Sequence, residues 1–196
     1  MHGATLAAEL GSAMTTGAPQ TVATEEDLRI AAACAAGDPA VFEGVYQRFG
    51  ERMKSIAYNH LGNIGDAEDA VQEAFLKVHR AARSYTGDAA FATWIYRILV
   101  NTCYDLLRKR KRRPVEEVTD EEFERTASTV DETKRLTLRK LLNRLPEQRR
   151  SVFTLFEIEG LSHAEISQVL GITEANSKWI LFSTKKQLQQ EWKSLR

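Results

Sequence analysis

The stretch DAEDAVQEAFLKVHRAARSY, which starts at Asp66, permits little other than an amphipathic helix. Ala67, Ala70, Val71, Ala74, Phe75 and Val78 recur at three- and four-residue steps and form one apolar face. Glu68, Asp69, Gln72, Glu73 and Lys77 fall elsewhere on the helix. The spacing predicts a helix over Asp66–Tyr85. A helix with one apolar stripe must bury it against another element, and the neighbouring stretches supply candidates.

EEDLRIAAACAAG reads as a short helix closed by Gly37. DPAVFEGVYQRFGERMKSIAYNHLG opens with Asp38 as a cap and Pro39 at the first helical position. Phe42, Val45, Tyr46, Phe49, Met53, Ile56 and Ala57 then follow largely in helical register. FATWIYRILVNTCYDLLRKRKRR repeats the pattern with Phe91, Trp94, Ile95, Ile98, Leu99, Thr102 and Leu106. Strand-like alternation is absent. The expected fold is all-α: two small helical domains joined by a flexible acidic linker, the second a helix-turn-helix domain. Residues 1–24, rich in Ala, Thr and Gly, read as a disordered extension, 25–113 as the first domain, 114–132 as the linker and 133–196 as the second domain.

Charge is distributed unevenly. Lys and Arg total 27, and so do Asp and Glu, so the net charge is zero. Yet Arg108, Lys109, Arg110, Lys111, Arg112 and Arg113 run unbroken up to Pro114, and Glu116, Glu117, Asp120, Glu121, Glu122 and Glu124 follow. A helix dipole favours one or two cations at its C-terminus. Six in a row repel one another, and a polyanion partner offsets that repulsion by releasing counterions. Tyr85, Phe91, Trp94, Tyr96 and Tyr104 precede the cations; some must be core, and a subset could stack on unpaired bases.

LSHAEISQVLGITEANSKWILF has the grammar of a helix-turn-helix. Ser162 and Glu165 make a capping box, and Ile166, Val169 and Leu170 give the first helix a buried face. Gly171 ends it, Ile172 fills the corner and Thr173 caps the next helix. Such a unit lays its second helix in the major groove. At 3.6 residues per turn, Ser177, Leu181, Thr184 and Leu188 should form the inner face, leaving Trp179, Ile180, Phe182 and Ser183 largely outward.

Other functions find little support. His2, His60, His79 and His163 are scattered, with no nucleophile–base pair or metal-ligand spacing, so neither catalysis nor a metal or other cofactor is expected. Cys34 and Cys103 lie in apolar patterns and read as buried free thiols in a cytoplasmic protein. No apolar run reaches membrane-spanning length, so no membrane insertion is expected, and no secretory signal is visible. A helix-turn-helix regulator acting without polymerase is the alternative reading.

Taken together, DAEDAVQEAFLKVHRA, FATWIYRILVNTCYDLLRKRKRR and LPEQRRSVFTLFEIEGLSHAEISQVLGI resemble bacterial RNA polymerase sigma factors, most closely the extracytoplasmic-function group of the sigma-70 family. The likeness spans roughly Glu25 to Lys193. It implies a transcription initiation factor that binds core RNA polymerase through the β′ clamp helices and the β subunit. Asp69, Gln72 and Glu73 then correspond to the docking face. Tyr85, Phe91, Trp94, Arg97, Asn101 and the cations Arg108 to Arg113 correspond to the reader of the promoter −10 element, in duplex and as non-template single strand. The −35 reader corresponds to Thr173, Glu174, Ala175, Asn176, Lys178, Trp179, Ile180, Ser183, Lys185 and Lys186. An anti-sigma factor is a possible further partner. Glu174 to Leu188 departs from the family pattern: Ser177 replaces an apolar core residue, and Ile180 and Ser183 stand where arginines are usual.

Overall fold

The computed structural model describes residues 22–112, 137, 138 and 140–194. The expected linker, Arg113 and residues 1–21 of the expected extension lie outside the described residues. No strand occurs among the described residues.

Local chemistry sets the helix ends. Helix α1 (Glu25–Ala36) starts at Thr24, whose hydroxyl and Asp27 form a reciprocal capping box. Helix α2 (Pro39–Leu61) starts at Asp38, whose carboxylate accepts from the amides of Ala40 and Val41. Helix α3 (Ile64–Ala81) begins two residues before the expected start, because Asn63 caps it by accepting from the Asp66 amide at 3.0 Å. It ends at Ala81 and passes into a 3-10 turn, Ala82–Ser84. Helix α4 (Phe91–Arg112) runs to the end of the described part of the first domain.

Beyond the undescribed segment, helical residues 140–144 precede α5 (Glu147–Phe153) and a π-helical turn, Thr154–Ile158. Helices α6 (His163–Leu170) and α7 (Glu174–Ser194) complete the second domain. The expected Ser162–Glu165 capping box is present, and Gly171 takes the left-handed conformation at φ 65°. Thr173 caps α7 by accepting from the Asn176 amide at 3.1 Å.

The two helical units pack directly against each other. Helix α4 contacts α2 and α3 on one side and α6 on the other, and α2 also meets α5 and the π turn. Val41, Met53, Ile56, Phe91, Ile95 and Leu99 of the first unit share one continuous apolar core with Val152, Leu155, Ile166 and Val169 of the second. A satellite core of Leu141, Leu142, Leu145 and Leu188 lies farther out.

Polar pairs fix the geometry of this joint. Glu159, whose side chain is only 6% exposed, lies 3.5 Å from Arg52 and accepts from the Ser55 hydroxyl at 2.6 Å. Arg52 also donates to the Glu159 carbonyl. Lys111 pairs with Glu147 at 2.6 Å. At the centre, Nδ1 of buried His60 donates to the Ile56 carbonyl at 2.7 Å, which leaves Nε2 as an acceptor facing the Ser151 hydroxyl at 2.8 Å. Tyr104 OH sits 2.7 Å from the same hydroxyl, so one chain of hydrogen bonds crosses from α4 through α5 to α2.

Burial pushes the His60 imidazole down to about 4, with the Ile56 carbonyl opposing and Arg150 adding a smaller push downward. An unfolded histidine titrates near ~6.5. Between these values the unfolded chain takes up a proton that the folded chain refuses. Stability is therefore full above ~6.5 and is lost as pH falls toward the folded value, by up to about 3 kcal/mol. Urea denaturation at stepped pH should show this loss, and His60→Gln should flatten it. An equally steep loss in the variant would assign the effect to other groups.

Candidate nucleic-acid and polymerase interface

The apolar faces of α3 and α4 are used up in the core, so their polar faces point to solvent side by side. On α3, Asp69, Gln72 and Glu73 are all exposed. On α4, Arg97, Asn101, Arg108 and Arg112 are exposed at helical spacing. A groove runs between the two faces. Asp69, Gln72 and Glu73 form one wall, Arg108, Lys109 and Arg112 the other, and Leu76 and Leu106 contribute apolar surface. Lys77 bridges it, donating to the Thr102 hydroxyl at 3.1 Å and lying 3.8 Å from Asp105 and 3.9 Å from Glu73.

The basic block is not uniformly available. Arg108 pairs with Asp105 at 2.6 Å, Arg110 with Asp66, and Lys111 with Glu147. Arg110 therefore braces the start of α3, and Lys111 braces the joint. Lys109 and Arg112 are exposed in the groove wall and are not held in an ion pair among the described residues. Sequence reasoning treated the cations as equivalent because their partners lie far away in the chain or at the start of another helix.

The aromatic group ahead of α4 is divided in the same way. Phe91 is 0% exposed and packs against Phe49, Tyr85 and Trp94, so it cannot offer a face to a base and is a core residue, contrary to its expected place in the −10 reader. Its helical spacing already set it in the apolar face of α4; only the family resemblance placed it in the −10 reader. Tyr85 and Trp94 are half-buried, with ring centroids 5.3 Å apart, and retain exposed surface. The Tyr85 hydroxyl donates to the Ala89 carbonyl at 2.6 Å and thereby shapes the loop before α4. That loop has a support not visible in the sequence. The Ala23 amide donates to the Gly87 carbonyl at 3.3 Å, and a β-carbon added at Gly87, where φ is 83°, would lie 3.2 Å from Leu28. Residues 22–24, expected to belong to the disordered extension, thus hold the loop.

On α7, Ser177, Leu181, Thr184 and Leu188 are buried, as their spacing predicts. Ile180 is also buried, at 3% exposure, which corrects the expectation that it faces outward as a −35 contact. It lies on the flank of the inner stripe, and the joined core of the two units closes over it. Ser183 is half-buried and donates to the Ile180 carbonyl at 3.0 Å. Trp179 and Phe182 do point out, at 60% and 69% exposure. Ser177 has a partner that explains a hydroxyl in the core: its Oγ lies 2.9 Å from Nδ1 of His163, whose ring stacks on Phe156. Thr173, Glu174, Ala175, Asn176, Lys178, Lys185 and Lys186 are exposed.

No cluster of metal-ligating side chains occurs among the described residues. Burial pushes the Cys34 thiol up to about 11 and the Cys103 thiol up to about 12, which suppresses the nucleophilic thiolate. Among the described residues, no helix is long and apolar enough to cross a membrane.

Comparison with known proteins matches residues 45–113 to Sigma-70 region 2 and residues 135–188 to Sigma-70, region 4. The chain is 34% identical over 152 residues to the ECF RNA polymerase sigma factor SigM of Mycobacterium tuberculosis, spanning 78% of this chain and 77% of that protein. It is 34% identical over 148 residues to the ECF RNA polymerase sigma-E factor of Escherichia coli, spanning 68% and 77% respectively. Its fold is similar to that of CnrH solved with the cytosolic domain of CnrY, with a TM-score of 0.67 and 22% identity over 86% of this chain and 97% of that one. It is also similar to the sigma factor RpoE of Bartonella quintana solved with the anti-sigma factor NepR, with a TM-score of 0.62 and 20% identity over 79% and 98%.

The two sides of α7 differ in energetic weight. Truncating Ile180 to Ala should destabilise the chain by ~2–5 kcal/mol, whereas Trp179→Ala should stay within ~0.5 kcal/mol. Urea denaturation of the two variants checks the orientation, and equal losses would contradict it.

Proposed function

We infer that this chain, which belongs to the extracytoplasmic-function RNA polymerase sigma factors of the sigma-70 family, is a non-enzymatic initiation subunit in the bacterial cytoplasm that directs core polymerase to promoters. Two units, about 25–113 and 133–196, divide the work. Asp69, Gln72 and Glu73 dock on the polymerase. Tyr85, Trp94, Arg97, Asn101 and the exposed cations at the end of α4 read and hold the −10 element, and the outer face of α7 reads the −35 element.

The observation that carries this reading is the shared groove. One helix offers an acidic and amide face, its neighbour a basic one, and neither face is needed for the core. The cations at one end of α4 suit phosphates, and the half-buried aromatics at its other end suit splayed bases. An anti-sigma factor is a reasonable partner, since the fold is similar to that of a sigma factor solved with one. Reconstitution with core polymerase, followed by mapping of transcript starts, tests the function as a whole. Absence of promoter-dependent starts would refute it.

Replacing Gln72 and Glu73 together with Ala should weaken binding to core polymerase while circular dichroism stays unchanged, because the opposite face of α3 supplies the fold. Undiminished affinity would remove this face from the docking surface.

Replacing Lys109 and Arg112 with Ala should weaken promoter binding alike across sequences. The salt slope should fall by roughly 0.9 for each duplex phosphate that is no longer neutralised. Arg110→Ala should also lower thermal stability, since it releases Asp66. A changed sequence preference at constant slope would instead point to base contacts.

A further inference from the structure

We propose that Trp179 and Phe182 read thymine methyl groups in the major groove of the −35 duplex, so that this chain selects its upstream element by apolar contact. The inference rests on the reading of α7 as the −35 helix and adds what that helix recognises.

Three observations converge on it. First, the outermost stripe of α7 is Ala175, Trp179, Phe182 and Lys186, spaced by four, three and four residues, all exposed. The two rings are neighbours on one ridge, and burying Ile180 and half-burying Ser183 leaves that ridge as the part of the helix that projects. Second, the ridge is flanked by cations. Lys178 lies 3.8 Å from Glu174, Lys185 lies 2.8 Å from Glu157, and Lys186 is exposed. The two pairs are solvent-exposed, so each lysine can exchange its carboxylate for a phosphate at little cost. Duplex DNA offers phosphates to the cations on that flank, which an apolar protein groove would not. Third, the other flank carries exposed, uncharged Asn176 in the first turn, the part of a recognition helix that meets base edges. The thymine methyl is the apolar feature of the major groove, and the adenine paired with it presents the N6/N7 edge that Asn can bond. An aromatic ridge beside an amide therefore fits an A·T pair from both strands at once. It gains nothing from cytosine, which lacks the methyl.

The experiment uses the full chain assembled with core polymerase. A duplex pool randomised over the −35 segment is selected by this holoenzyme, and the winning duplex is resynthesised with deoxyuridine for thymidine in that segment only. This removes the methyl groups and leaves the hydrogen-bonding edges intact. Each contacted methyl should be worth about fourfold in affinity, the equivalent of burying one methyl-sized group. Trp179→Ala and Phe182→Ala should each weaken binding to the thymidine duplex and lose part of the sensitivity to deoxyuridine. The double variant should bind both duplexes equally. Unchanged thermal melting would show that the variants remain folded. Equal binding of both duplexes by the parent chain, with no effect of either variant, would overturn the proposal and leave the ridge to a protein partner. Failure of the pool to enrich any −35 sequence would overturn the −35 reading itself, a result distinguishable from binding that ignores the methyl.

Discussion

Helix α4, Phe91–Arg112, has to satisfy three environments at once, and most of the molecule follows from how it does so. Ile95, Leu99 and Val100 bury it against α2 and α3. Its later turns, through Cys103 and Tyr104, receive the second unit, with the Tyr104 hydroxyl bonded to Ser151. Arg97, Asn101, Arg108 and Arg112 remain for solvent. A helix has room for three such faces only when none of them is wide. The proposed −10 reader and the seat of the second unit are therefore two sides of the same cylinder, and a shift of α4 on one side is felt on the other.

The joint built on that helix combines two kinds of interaction. Val152, Leu155, Ile166 and Val169 supply apolar contact, which is non-directional and holds the units together. The Glu159–Ser55–Arg52 group and the Tyr104–Ser151–His60 chain are directional and fix the orientation. Such groups add little net stability when both partners are present, because water offers them comparable bonds after separation. They strongly disfavour a misaligned joint, where a buried carboxylate or imidazole would be left without a partner. The outcome is a joint specific in geometry.

Most of the helical framework was legible in the sequence, because caps and apolar stripes are local. Asp38 and Pro39, the Ser162–Glu165 box and Gly171 perform the roles their spacing predicts. The misreadings, Phe91 apart, have a common origin. Ile180 sits at the edge of an apolar stripe, where periodicity is neutral and the opposing element decides, whereas the spacing put Phe91 in the stripe and only the family resemblance set it in the −10 reader. Ser177 looked like a defect until His163, fourteen residues earlier, supplied its hydrogen bond. Arg110 and Lys111 looked like part of a uniform block because Asp66 and Glu147, their partners, lie in other helices. The contact of residues 22–24 with the Gly87 loop left no mark in either segment. In each case the information is in a pair of distant positions, and a periodic pattern reports only on near ones.

The packed joint also bears on how a chain of this kind can read two promoter elements. Helices in contact have axes about 8–10 Å apart, so in the packed joint the axes of α4, α6 and α7 lie within roughly 20 Å of one another where they cross. Elements one to two turns of DNA apart lie ~34–70 Å from each other. Under the proposed reading, engaging both elements at the longer of these spacings would require the units to separate. The intervening chain is long enough, since about twenty extended residues reach ~70 Å. Separation exposes the apolar half of the joint and returns its polar half to water, so its cost is set mainly by Val152, Leu155, Ile166, Val169 and their partners. In that case polymerase and promoter together would have to favour the separated form by more than that cost, and any partner that binds the packed form would raise it. The polar chain through His60 then matters less for holding the units together than for ensuring that, when packed, they are packed in one way.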